Sequence, residues 1–169
     1  MIDKNEIVTF VSSCSIKESI ESTYNEIVSE IKQRFPDVST IHIGSSSVDD
    51  LLTKGDLDIL VIANSSNFQQ LFNYLNEGYE INSGVELSSS FASFKDDSSI
   101  PNVGIQLALS LENDYDFLIF QNILLKSNKL KNEYNGLKKA FDGKLMVEYR
   151  AAKSDFIEKV LDKRQKYGF

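Results

Sequence analysis

Apolar side chains recur at three- and four-residue intervals through Ile16, Ile20, Tyr24, Ile27, Val28, Ile31 and Phe35, a stripe that predicts one long amphipathic helix. Ser15 and Glu18 stand at capping-box spacing at its start, and Pro36 stops it. Before it, residues 7–11 (Ile-Val-Thr-Phe-Val) predict a short strand. After it the period shortens: residues 41–43 form an apolar strand that breaks at Gly44, a small helix follows, and residues 57–63 form a buried strand. Asn64, Ser65 and Ser66 supply cap residues for a second helix carrying Phe68, Leu71, Phe72 and Leu75 on one face and ending near Gly78.

Beyond Gly78 the texture is that of short strands, predicted at residues 79–81, 85–87 and 90–94, with a polar turn over residues 95–102. Val103, Ile105, Leu107, Leu109 and Leu111 then alternate with Gly104, Gln106, Ala108 and Ser110, the pattern of a half-buried strand with one polar face. The remainder is helical from about residue 114. Phe117, Phe120, Ile123 and Leu124 mark one helix, and Leu130, Tyr134, Leu137 and Phe141 a second. After an Asp142-Gly143 turn, residues 145–161 form a last long helix with a basic end. Strand, helix, strand, helix, then strands, then helices predicts an α+β fold, a mixed sheet with helices packed on one face and a helical C-terminal region, in a single domain spanning residues 1–169.

The chemistry concentrates at residues 41–63. Gly44 lets the backbone turn sharply and approach a ligand, and Ser45 and Ser46 follow it where exposed N–H groups favour an anion such as triphosphate. Asp56 and Asp58 lie two apart at the start of a strand, so both carboxylates point to one face, where they can share a hard divalent cation. Such a cation bridges a polyphosphate and neutralises charge on its leaving group.

A Gly-Ser turn followed by Asp-x-Asp on the next strand resembles the signature of the nucleotidyltransferase superfamily that contains DNA polymerase beta. More closely, His42, Gly44, Ser45, Val48, Lys54, Asp58 and Ile59 resemble the pattern of the GrpB-like predicted nucleotidyltransferases. The resemblance extends through Tyr134-x-x-Leu137-Lys138 and Tyr149-x-x-x-Lys153-x-x-Phe156-Ile157, and so spans roughly residues 41–161. Asp49-Asp50 replaces the Pro-Gly of that pattern, Gly55-Asp56 its Pro-apolar pair, Gly104 and Gln106 its two strand histidines, and Gln121 its arginine. The resemblance implies a nucleotidyltransferase-like fold, Mg2+ held by Asp56 and Asp58, and an NTP co-substrate. It also implies a third carboxylate on a neighbouring strand, for which Glu86 is a candidate and strand parity alone does not decide. Gly44, Ser45, Ser46, Lys54, Gln106, Lys138 and Lys153 are the expected nucleotide-binding positions.

Charge narrows the partners. A net charge of −7 argues against a duplex nucleic-acid binder, which presents a basic face to phosphates, and leaves a small nucleotide carried in with its metal. No apolar run approaches the length of a membrane span and the start is no signal peptide, so a cytoplasmic location is expected. A single cysteine, Cys14, allows no internal disulfide. A single histidine, His42, builds no zinc site of the His/Cys kind; alternating with Ile41 and Ile43, it points to the other face of its strand in a bracing role. The expected activity is metal-dependent transfer of a nucleotidyl group from an NTP to a small acceptor. The alternative is a nucleotide- or phosphate-binding protein on the same fold that has lost its chemistry.

Overall fold

The computed structural model describes residues 5–110 and 115–169. The chain divides into two compact units, one comprising Met1–Ile16, Ser45–Gly55 and Asp114–Phe169, the other Lys17–Gly44 and Asp56–Asn113.

The second unit is a sheet with two helices on one face. Its five strands are β2 (Ser39–Ile43), β4 (Leu57–Ile62), β5 (Glu80–Ile81), β6 (Phe91–Asp96) and β7 (Val103–Ala108), in the order β2-β4-β7-β6-β5. β4 and β7 are parallel and the other pairs antiparallel, which makes the sheet mixed. Register puts Leu57, Ile59 and Val61 on the same face as Val103, Ile105 and Leu107, and all six are buried. Helix α1 (Lys17–Arg34) packs against β4 and buries Ile20, Ile27 and Ile31, while α2 (Phe68–Gly78) packs against β6, Phe72 meeting Phe94 at 5.4 Å. The apolar stripes seen in the sequence are thus the faces that cover one side of the sheet. The other side carries Asp58, Leu60, Gly104, Gln106, Ser93 and Lys95.

The first unit is built on three helices, α3 (Asp116–Lys126), α4 (Asn128–Phe141) and α5 (Met146–Leu161). They bury Ile119, Phe120, Ile123, Leu124, Leu130, Tyr134 and Val160 together with Val48 and Leu51 from the Ser45–Gly55 segment. Phe120, Tyr134 and Phe156 form a ring cluster in which Tyr134 stacks on Phe156 at 5.2 Å and Phe120 meets Tyr134 edge-on at 5.4 Å. A two-stranded ribbon of β1 (Val11–Ser12) and β3 (Leu52–Thr53) completes it.

Several local expectations change. The strand expected at residues 7–11 is reduced to a bridge between Ile7 and Leu145 and the two residues of β1. Ser15 is not a helix cap: residues 13–16 make a 3-10 turn, and its hydroxyl donates to the Ser12 carbonyl. The strand expected at residues 85–87 is an exposed connection. There Asn82 spends its backbone and side chain on the Val85 and Gly84 amides, so those groups turn the chain instead of pairing in the sheet. The alternating strand ends at Ala108, and Leu111 lies outside the described residues.

Candidate functional site

Each unit carries one group of the expected residues. In the sheet unit Asp58 is the second residue of β4, opposite Ile43 of β2 and Gly104 of β7. Its carboxylate lies over two glycines. A methyl group at Gly44 would sit 2.6 Å from Asp58 Oδ2, and one at Gly104 would sit 2.6 Å from Asp58 Oδ1. Both distances are shorter than any carbon–oxygen contact, so the absence of a side chain at both positions is what allows the carboxylate its place. Gly44 has a second reason to be glycine, a φ of +80° at the point where β2 ends. Gln106 is the next residue on this face of β7 after Gly104 and is half-buried, and Asp56, also half-buried, precedes β4.

His42 lies on the opposite face. Its register partner is Ile59, its ring is 5.6 Å from that of Tyr24 in α1, and burial lowers its pKa against an opposing pull from Glu21. It is therefore placed under the helices and away from the face that bears Asp58.

Glu86 stands in the exposed connection between β5 and β6, not on a strand beside Asp58. Among the described residues no group of three or more His, Cys, Asp or Glu side chains gathers as a metal would require, so Glu86 does not complete a trio with Asp56 and Asp58.

In the helical unit the Ser45–Ser47 segment is a 3-10 turn that Lys138 of α4 holds from below. Lys138 is 1% exposed; its Nζ donates to Ser45 Oγ at 2.7 Å and to the Leu52 carbonyl, and lies 4.1 Å from the centre of the Tyr134 ring. Tyr134 and Lys138 are four apart on α4, so one helix face delivers both. Burial, then the charges of Lys153 and Lys54, push the Lys138 ammonium down to about 7. Tyr134 is itself hydrogen-bonded to Tyr149 and Ser45, and burial raises its pKa despite those bonds. Lys153 and Lys54 thus lie close enough for their charges to act on the Lys138 ammonium, which itself reaches the serine turn.

The neighbouring residue of α4 fixes the loop beyond the turn. Asn135 accepts from the Leu52 amide at 2.8 Å and donates to the Asp50 carbonyl at 2.7 Å. Asp50 has a φ of +67°, a left-handed conformation that favours glycine. The family pattern has its Gly there, so this chain keeps the bend with a less suited residue and a side-chain clamp across it. The sequence pattern marks Tyr134 only as a motif residue and gives no contact to Asn135 or to the Leu52 carbonyl. The spacing of Tyr134, Asn135 and Lys138 was the available signal for the first two, but a main-chain carbonyl leaves none.

A profile described as GrpB protein matches residues 13–163. The chain belongs to the GrpB family. A UPF0157 protein of Vibrio cholerae is 33% identical over 154 residues, covering 90% of this chain and 81% of its own. Among solved structures, the conserved protein GrpB from Enterococcus faecalis superposes with a TM-score of 0.68 at 22% identity, covering 89% of this chain and 96% of that one. The Cid1 poly(U) polymerase described as Mg 3'-dATP bound superposes with a TM-score of 0.52 at 18% identity over 77% of this chain, which spans 42% of that structure's length. This GrpB-family chain therefore has the nucleotidyltransferase fold, α+β with a mixed sheet, as the signature residues implied. Among the described residues no helix is long and apolar enough to cross a membrane.

Proposed function

We propose that the protein is a metal-dependent nucleotidyltransferase that moves a nucleotidyl group from an NTP to a small acceptor. The observation that carries this reading is the seating of Asp58, a carboxylate at a strand start fitted between Gly44 and Gly104. It stands downstream of a Gly-Ser turn at the spacing polyphosphate chemistry uses. Two structures that share the fold, described as Mg 3'-dATP bound and MgGTP bound, support the choice of cofactor.

Asp56 and Asp58 offer the hard oxygen donors that magnesium takes, and these two side chains would hold it. When bound, the ion would supply a bridge to polyphosphate oxygens and neutralise charge on departing pyrophosphate. Gly44 gives backbone access to the phosphates, Ser45 and Ser46 offer hydroxyl and amide donors, and Lys54, Lys138 and Lys153 supply positive charge. Gln106 provides a neutral amide that orients a ligand without binding metal. The acceptor is a small molecule, in keeping with a net charge of −7.

A specific observation favours a second reading, a nucleotide-binding protein without catalysis. On β7 the residues sharing a face with Asp58 are Gly104, Gln106 and Ala108, and on β6 they are Lys95, Ser93 and Phe91, none of them a carboxylate. Magnesium with ATP is expected to raise the melting temperature by several degrees, and Asp58→Asn to abolish the rise. Pyrophosphate release then identifies the transferase, while a thermal shift without release identifies the binder. Equal responses of wild type and Asp58→Asn would remove both.

A further inference from the structure

We infer that Lys138 is a positioning residue: it does not bind the phosphate chain itself but holds the Ser45 hydroxyl, and Ser45 makes the contact. The inference rests on the reading that the Ser45 turn receives polyphosphate, and deepens it by giving one of the three lysine charges an indirect route to the ligand.

The hydrogens of this amine already have their places. An ammonium has three hydrogens to donate and accepts none. Around the Lys138 Nζ stand three partners: the Ser45 hydroxyl oxygen at 2.7 Å, the Leu52 carbonyl of β3, and the Tyr134 ring, whose centre is 4.1 Å away. With 1% of the residue exposed, the amine has no open side from which to reach a bound ion. Touching phosphate directly would mean leaving one of these partners behind without its donor.

Ser45 is placed differently. It is half-buried, opens the 3-10 turn of Ser45–Ser47, and is hydrogen-bonded to both Lys138 and Tyr134. A hydroxyl accepts twice and donates once. Lys138 fills one accepting position; in the bound state Tyr134 donates into the second, and the Ser45 hydrogen is left for a phosphate oxygen. A hydroxyl that accepts from a cation donates more strongly, because hydrogen bonds in a chain polarise one another. The Lys138 charge thus reaches the anion through Ser45. Tyr149, bonded to Tyr134, carries the same chain to α5, so two helices and the turn together set where the Ser45 hydroxyl stands.

Calorimetry of the full chain with inorganic tripolyphosphate, without divalent metal, tests this as a double-mutant cycle. It is run at pH 6, below the Lys138 value of about 7, so that the amine is charged. Ser45→Ala and Lys138→Gln should each weaken binding about tenfold, and the double variant should bind no more weakly than either alone. A lysine that only braced the fold, or one that touched phosphate itself, would weaken binding in the Ser45→Ala background as well. Should Lys138→Gln fail to fold, NMR of a lysine-labelled wild type replaces it: the Lys138 ammonium should show no scalar coupling to the phosphorus of bound tripolyphosphate, while Ser45→Ala still loses about tenfold. Additive losses, undiminished affinity in Ser45→Ala, a phosphorus coupling at Lys138 Nζ, or no binding of tripolyphosphate by the wild type would each overturn the inference. Failure of the Asp58-dependent response to magnesium and ATP would leave these outcomes unchanged, so the two readings fail separately.

Discussion

At Asp58 one methyl group decides whether the carboxylate keeps its place. Gly104 is conformationally ordinary for a strand; what forbids a side chain there is the carboxylate oxygen 2.6 Å from where it would begin. Gly104→Ala must push Asp58 into another rotamer or part β4 from β7, and overpacking of this kind costs about 1–3 kcal/mol. A lowered urea midpoint, with the magnesium–ATP thermal shift reduced or lost, is the expected result. A variant with wild-type stability and response would show that the carboxylate has room to spare.

The element that matters most beyond the sheet is α4. One stretch of it lays the Tyr134 ring under the Lys138 amine, brings Lys138 to Ser45, and uses Asn135 to clamp the loop from Asp50 to Leu52. Asn135→Ala removes two bonds to main-chain groups and leaves Asp50 in a left-handed bend without its brace. The expected loss is about 1–3 kcal/mol, with faster hydrogen exchange at the Leu52 amide while the β4 amides keep their protection. Unchanged exchange at Leu52 would mean that the bend holds itself.

For the whole molecule the consequence is a pH dependence of stability. Lys138 has a folded pKa of about 7, below its ordinary 10.5. Its contribution is fully favourable above the unfolded value and is lost as pH falls toward the folded one, where a charge must be buried. Stability should therefore rise with pH across the window from 7 to about 9.5, by at most about 1.4 kcal/mol per pH unit from this group. Tyr79, raised to about 12, acts in the opposite direction, but only as pH passes its ordinary value of 10.0, which leaves the lower window to Lys138. Denaturation of wild type and Lys138→Met at pH 7, 8 and 9 should show the slope in the first and a flatter line in the second. Parallel slopes would assign the effect elsewhere.

Local pattern determined much of this protein. The apolar stripe of α1, the buried run of β4, the alternation of β7 and the three C-terminal helices all follow from periodicities that a single element must satisfy to bury its own face. So does the sharing of a face by Asp58 and its strand neighbours, since side-chain direction in a strand is fixed by parity. The motif residues gave the family and, through it, the nucleotidyltransferase fold. Tertiary structure alone decided which side of the sheet the helices cover, and hence that His42 lies under α1 and Asp58 on the other face. It decided that residues 85–87 turn with Asn82 and do not extend the sheet, because strand identity depends on finding a partner. It also decided the burial of Lys138: sequence marked a lysine at a helix position, but only packing against Ser45, Leu52 and Tyr134 removed its water and changed its proton affinity. Desolvation is a property of everything that surrounds a group, and no window along the chain contains it.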